Sequence, residues 1–178
     1  SIFDNNYGKN GSISFRYTED LVKILSKYKT KVFCLIHSKL KRDQLEKQLK
    51  KYDIRSYKAD KGDFSLSSNC KFIISIGFQG AAIEAAFAFK KPIIFFTSNK
   101  TYFDKFVFSS EGITNKKIIK VFNRLILSGS EIEMLISSEL IFNQKMEELQ
   151  YSTNKFLELI GITNNDPYVL NYLANLCK

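Results

Sequence analysis

The chain predicts an α/β fold, a Rossmann-like parallel sheet with helices on both faces, extended at its C-terminus by helices. Three observations lead there. Strand-like and helix-like segments alternate up to about Phe96. The strand-like segments are continuous apolar runs, KVFCLI at 31–36, KFIIS at 71–75 and PIIFF at 92–96, rather than apolar–polar alternations. Such runs mark strands covered on both faces, and their alternation with helices marks parallel pairing through crossovers. After Thr97 the pattern turns mostly helical.

Each element has a local reason. Residues 1–3 read as the end of a strand, and 4–14 as a polar loop carrying Gly8 and Gly11. Thr18 caps a helix to about Tyr28, with Leu21, Val22, Ile24 and Leu25 facing inward. Residues 41–52 form a strongly charged surface helix with Leu45 and Leu49 one turn apart. A short strand at 54–57 and a loop at 60–69, with one helical turn near 63–66, precede the strand at 71–75. A nearly all-apolar helix spans 80–90, and Pro92 opens the strand ending at Phe96. Helices are expected at 114–127 and over a long stretch from 130 to 160. In that stretch Ser130 and Glu133 form a capping box, and Ile132, Leu135, Ile136, Leu140, Met146, Leu149, Phe156 and Leu159 face one side. Gly161 ends it, and a last helix runs from about Pro167 to Leu176. The expected organisation is a Rossmann-like unit at 1–128 and a helical extension at 129–178 packed on it.

Bulk properties narrow the function. The 178 residues are 44% hydrophobic and 25% charged, ordinary for a globular domain with a full core. No apolar run approaches the roughly 18 residues of a membrane span, and no signal peptide is visible. The chain starts at Ser1 inside a strand-like segment, which reads as a piece of a longer protein. The net charge of +9 is mostly lysine, with arginine only at 16, 42, 55 and 124. That surplus suits phosphorylated ligands, an anionic surface or a solvated lysine face. It fits sequence-specific nucleic-acid readout poorly, since that favours arginine. Cys34, Cys70 and Cys177 have no metal-ligand spacing, and with His37 as the single histidine a zinc site is not expected.

Three places carry candidate chemistry. The first is the turn Gly77-Phe78-Gln79-Gly80-Ala81-Ala82 with Glu84 one turn into the following helix. The glycines let the backbone turn sharply and approach a ligand, and the free amides at the helix start favour an anion such as a phosphate. Glu84 is the one acid in an apolar helix. A carboxylate left unpaired among apolar groups is costly, so it must be exposed, hydrogen-bonded or placed for a ligand hydroxyl. The plainer reading gives the glycines to turn geometry and pairs Glu84 with a surface lysine. The segment is neither a GxGxxG fingerprint nor a P-loop. The second place is His37-Ser38-Lys39 with Arg42, after the strand at 31–36, where cations can neutralise a diphosphate or simply cover a solvated turn. The third is the loop with Asp4, Asn5, Asn6 and Arg16. Asp60 and Asp63 flank Gly62 in an ordinary loop, and no G-x-S-x-G elbow is present.

With these residues in order, the chain resembles the C-terminal, donor-binding half of a GT-B glycosyltransferase, above all bacterial enzymes of surface-polysaccharide synthesis. The resemblance runs from Ile2-Phe3-Asp4 to about Gly112-Ile113 and is most specific at Ser75-Ile-Gly-Phe-Gln-Gly-Ala-Ala-Ile-Glu84-Ala-Ala, followed by Lys91-Pro92-Ile-Ile. Where such enzymes carry a Gly-Lys-Pro turn, this chain has Phe89-Lys90-Lys91-Pro92. The resemblance implies that Glu84 binds the nucleotide ribose, that Gly77, Gln79, Gly80 and Ala81 face the diphosphate, and that His37, Lys39 and Arg42 add positive charge. It implies a nucleotide-diphosphate sugar as substrate, no cofactor and no metal. The acceptor would be a glycan or lipid-linked, and a missing N-terminal acceptor-binding domain would supply the catalytic base. The expected location is cytoplasmic, with peripheral association at the inner membrane face and no nucleic-acid partner. Other readings are a non-catalytic α/β module with a lysine-rich face, a GT-B-like polyol-phosphate transferase, and a sugar-nucleotide epimerase.

Overall fold

The computed structural model describes residues 2–4, 20–27, 33–36, 42–58, 65–76, 80–96 and 115–162. Strands β1 (Ile2–Asp4), β2 (Phe33–Ile36), β3 (Arg55–Lys58), β4 (Ile73–Ile76), β5 (Ile93–Phe96) and β6 (Ile126–Leu127) form one sheet in the order β3-β2-β1-β4-β5-β6. Every pairing is parallel. The helices are α1 (20–27), α2 (Arg42–Lys51), α3 (Gly80–Ala88), α4 (Lys116–Phe122), α5 (Gly129–Ser137) and α6 (Glu139–Leu159). The fold is therefore the expected Rossmann-like α/β sheet with C-terminal helices.

Right-handed crossovers place α1 and α2 on one face and α3 and α4 on the other, because the chain winds outward from β1 in one direction and from β4 in the opposite one. The strand β5 shows both faces. Phe95 stacks against Phe122 of α4 and Phe156 of α6, with ring centroids 4.6 and 6.0 Å away. Phe96, the next residue, lies beside Gly129 of α5, and a Cβ on Gly129 would come within 2.8 Å of Ile24 Cδ1 on α1. All four residues of β4 and all four of β5 are buried, as their unbroken apolar runs require.

The C-terminal helices differ from the sequence reading in three ways. The expected helix at 114–127 ends at Phe122, and Ile126–Leu127 form a sixth strand against Phe95 and Phe96. Two residues are too few to carry a period. The expected long helix is two helices, broken at the extended Ser138, which caps α6. The break resets the helical phase, so Leu140 points outward, 69% exposed, while Leu149 and Phe156 are buried. The capping box is Ser128 with Glu131, not Ser130 with Glu133. The Glu131 carboxylate accepts from both the backbone N–H and the hydroxyl of Ser128 at 2.7 Å. The single turn expected near 63–66 is a 3-10 turn at Ser65–Asn69. The helix expected at 167–176 lies outside the described residues.

Helix ends are closed by left-handed residues. The ends of α2, α3 and α6 each carry two bonds, from the left-handed residue to the carbonyl three back and from the next residue to the carbonyl five back. For α3 these are Lys90 N–H to Phe87 O and Lys91 N–H to Ala86 O. Glycine fills this place only after α6, at Gly161 with φ 81°, whereas Asp53 (φ 55°) and Lys90 (φ 50°) hold it elsewhere. Lys90 thus stands in a position that favours glycine. Lys90→Gly is expected to stabilise the protein by about 1 kcal/mol, since a side chain in this region costs about 1–2 kcal/mol and glycine gives part of that back as entropy. Urea unfolding measures it, and a loss of stability would contradict the assignment.

One buried hydrogen bond ties α6 to the sheet. Pro92 O accepts from Ile73 N–H on the β4 side, so by alternation Ile93 N–H points toward β6. The first residue of β6, Ile126, pairs with Phe95, so the ladder starts above Ile93. The fully buried Thr153 hydroxyl of α6 accepts that N–H instead, at 3.0 Å. Thr153→Val keeps the shape and leaves the donor unmet, which should cost about 1–3 kcal/mol in chemical denaturation. Thr153→Ser, retaining the oxygen, should recover part of the loss.

Candidate functional site

Because all the strands are parallel, their carboxyl ends share one edge, and the strand order reverses between β1 and β4. The last residue of β1, Asp4, pairs with the last of β4, Ile76. Asp4 therefore closes a strand instead of opening the loop in which the sequence reading put it. Open α/β sheets bind ligands in the crevice outside such a reversal. The helix α3 begins four residues past β4, so its N-terminus stands at this edge.

Along α3 the buried residues are Ala82, Ile83, Ala85 and Ala86. Gly80 and Glu84, one turn apart, are both exposed, and Ala81 is half-buried. Exposure removes the desolvation penalty that an acid in an apolar helix first implied: Glu84 sits on the outer face of a helix whose other face is core. Gly80 does not have the left-handed backbone of Gly161, and a Cβ added there meets nothing within 4 Å. The fold therefore gives Gly80 no steric reason to lack a side chain. Gly80→Ala is expected to keep or slightly raise stability, by about 0.5 kcal/mol. A clear drop in thermal stability would show instead that the fold requires the glycine.

Other predicted site residues are less directly placed. Arg42 is the first residue of α2. It follows β2, which is separated from β4 by β1, so the end of β2 is about 10 Å from the end of β4 across the sheet. Gly77, Gln79, His37 and Lys39 lie outside the described residues, as do Asn5, Asn6, Arg16, Asp60 and Asp63. Cys70 is half-buried, in no disulfide, and its thiol donates to Leu66 O at 3.8 Å. Among the described residues no group of three or more His, Cys, Asp or Glu is gathered to hold a metal, and no helix is long and apolar enough to cross a membrane.

Two clefts are lined by described residues. One, of about 680 Å³, runs between the C-terminal end of α3, at Phe87 and Lys90, and α6 at Gln150, Asn154 and Glu158. It lies at the opposite end of α3 from Gly80. The other, of about 570 Å³, lies between β6, α5 and α6 and was not foreseen from the sequence. On its rim the Lys145 ammonium donates to Glu148 at 2.8 Å, and that hydrogen bond, with the positive charge, holds the Glu148 carboxyl below its ordinary pKa. The same arrangement farther along α6 raises Lys155 through its bond to Glu158. The available signal for this cleft was Ser152, a polar residue in the stripe Leu149, Thr153 and Phe156 that α6 turns to the core.

No protein-family model matches the chain, and neither does any curated protein or solved structure. The functional reading therefore rests on the site and on the motifs of the sequence.

Proposed function

We propose that this chain is the nucleotide-sugar-binding domain of a GT-B-type glycosyltransferase that builds a cell-surface glycan. The observation that carries the reading is the pairing of an exposed Glu84 with an unfilled Gly80 on the helix that follows β4, where the strand order reverses. A helix start offers unpaired N–H groups and a positive dipole end to a diphosphate. A carboxylate one turn on accepts hydrogen bonds from two neighbouring ribose hydroxyls. With glycine at 80, the phosphates reach the amides without meeting a side chain. Arg42 at the start of α2 adds positive charge, and the resemblance assigns Lys39, His37, Gly77 and Gln79 to the same nucleotide.

In this reading the domain's chemical task is electrostatic. As the sugar leaves, negative charge builds on the nucleoside diphosphate, and fixed amides and cations stabilise it. The acceptor and the catalytic base belong to a second domain. The work is done at the cytoplasmic side, with the polymer or a lipid-linked acceptor held at the inner membrane face.

The test is calorimetric titration of UDP, GDP, CDP and CMP. One diphosphate is expected to bind, and Glu84→Ala to weaken it about 10- to 150-fold, the loss of about 1.5–3 kcal/mol from a charged hydrogen-bond acceptor. Gly80→Ala should weaken it too while leaving the fold intact. Absence of binding by all four nucleotides, or equal binding in the Glu84 variant, would refute the assignment.

A further inference from the structure

We propose that the cleft between β6, α5 and α6 is a binding site for a neutral, polyhydroxylated ligand such as a hexose ring. The starting point is Ser152. Its residue is only 5% exposed, and its hydroxyl has no hydrogen-bond partner among the described residues, in contrast to Thr153 beside it. A buried hydroxyl without a partner is destabilising and rare in native proteins. Ser152 lines the cleft, together with Arg124, Glu131, Lys145, Glu148 and Tyr151. The unmet hydroxyl therefore borders a space of about 570 Å³, well within the range of small-molecule sites.

The lining selects the chemistry. Two cations and two carboxylates face the cleft, so neither an anion nor a cation is favoured on charge. Their spare capacity is mixed. Arg124 forms no ion pair with the described residues and offers up to five donors. Lys145 spends one donor on Glu148. Glu131 accepts from Ser128 through one of its oxygens. Interleaved donors and acceptors are what a ring of hydroxyls satisfies, since each hydroxyl both gives and accepts. The apolar requirement is met as well. Tyr151 is 67% exposed, an unusual position for a large ring, and Ile126, Leu127 and Leu149 form an apolar wall. A sugar's C–H face packs on such a surface while its edge is hydrogen-bonded. This cleft shares no lining residue with α3, and the inference does not rest on the nucleotide-sugar reading.

The test follows backbone amide signals of the full chain by NMR during titration with glucose, galactose and N-acetylglucosamine, with inorganic phosphate and acetate as charged probes. Saturable shifts are expected around Arg124, Tyr151 and Ser152 with at least one sugar. Tyr151→Ala and Arg124→Ala should each weaken that binding at least about tenfold, the usual cost of removing an anchoring aromatic or arginine. Ser152→Ala should weaken it while leaving the Tm unchanged or higher, because no protein partner is lost. The proposal is overturned if none of the three sugars produces saturable shifts there, or if phosphate or acetate binds the same residues more tightly. A Tm several degrees lower in Ser152→Ala would also overturn it, by showing that the hydroxyl is already bonded within the fold.

Discussion

Successive side chains of β5 are claimed by opposite layers. Phe95 packs with Phe122 and Phe156, whose own rings are 5.3 Å apart, while Phe96 turns to the layer of α1 and α5. Each of the four buried residues of β5 contributes about 1.5–3 kcal/mol when withdrawn from water, and the full gain requires both faces to be covered. This two-sided demand recruits the C-terminal helices. The helix α6 supplies Phe156 to one face, and Lys27 on α1 pairs with Glu133 on α5 at the rim of the other, 3.2 Å apart and largely exposed. The ion pair is worth little by itself at such exposure; the core residues around it set the approach of the two helices.

The same arrangement divides the molecule into two ends. At the amino ends of the strands, α6 is anchored by Thr153 below the start of β6 and by Phe142, which packs on Phe72 and lies under the Lys71 ammonium. At the carboxyl ends stand the last residues of β1 and β4 and the start of α3. Backbone donors of the sheet are met by a side chain at the first end, whereas α3 opens toward the second with donors that a helix cannot satisfy within itself. The outward face of α3 carries Gly80 and Glu84 there, on a backbone held by Ala82, Ile83, Ala85 and Ala86 in the core. A rigid helix seated this firmly holds a ligand group in one place better than a loop would.

Strain is found away from that edge. Lys90 and Asp53 hold left-handed conformations at the far ends of α3 and α2, where a side chain is disfavoured. At Lys90 the two closing bonds of the helix and Pro92 immediately beyond fix the turn into β5 so tightly that the residue type is secondary. The conformation expected of glycine is kept where glycine is absent, because the geometry of the connection, set by β4 and β5 lying side by side, dictates it.

Continuous apolar runs at 31–36, 71–75 and 92–96 were enough to read parallel strands buried on two faces, and Glu84 stood out because it interrupts an apolar helix. These features are local, and periodicity and composition carry them. What tertiary structure decided is not local. The sixth strand is two residues long and exists only because Phe95 and Phe96 offer it an edge. Ser138 divides the last helices, and the phase change turns Leu140 outward. Whether Glu84 is buried or exposed depends on which side of α3 meets the sheet, and its alanine, glycine, isoleucine and phenylalanine neighbours do not announce it. The cleft at Ser152 is enclosed by the packing of three successive elements, β6, α5 and α6, and its unmet hydroxyl becomes visible only when the partners around it are known. The sequence by itself determined the class of fold and one acid worth following. Tertiary packing decided where that acid faces and where a second cavity opens, because burial is a property of neighbours and not of residues.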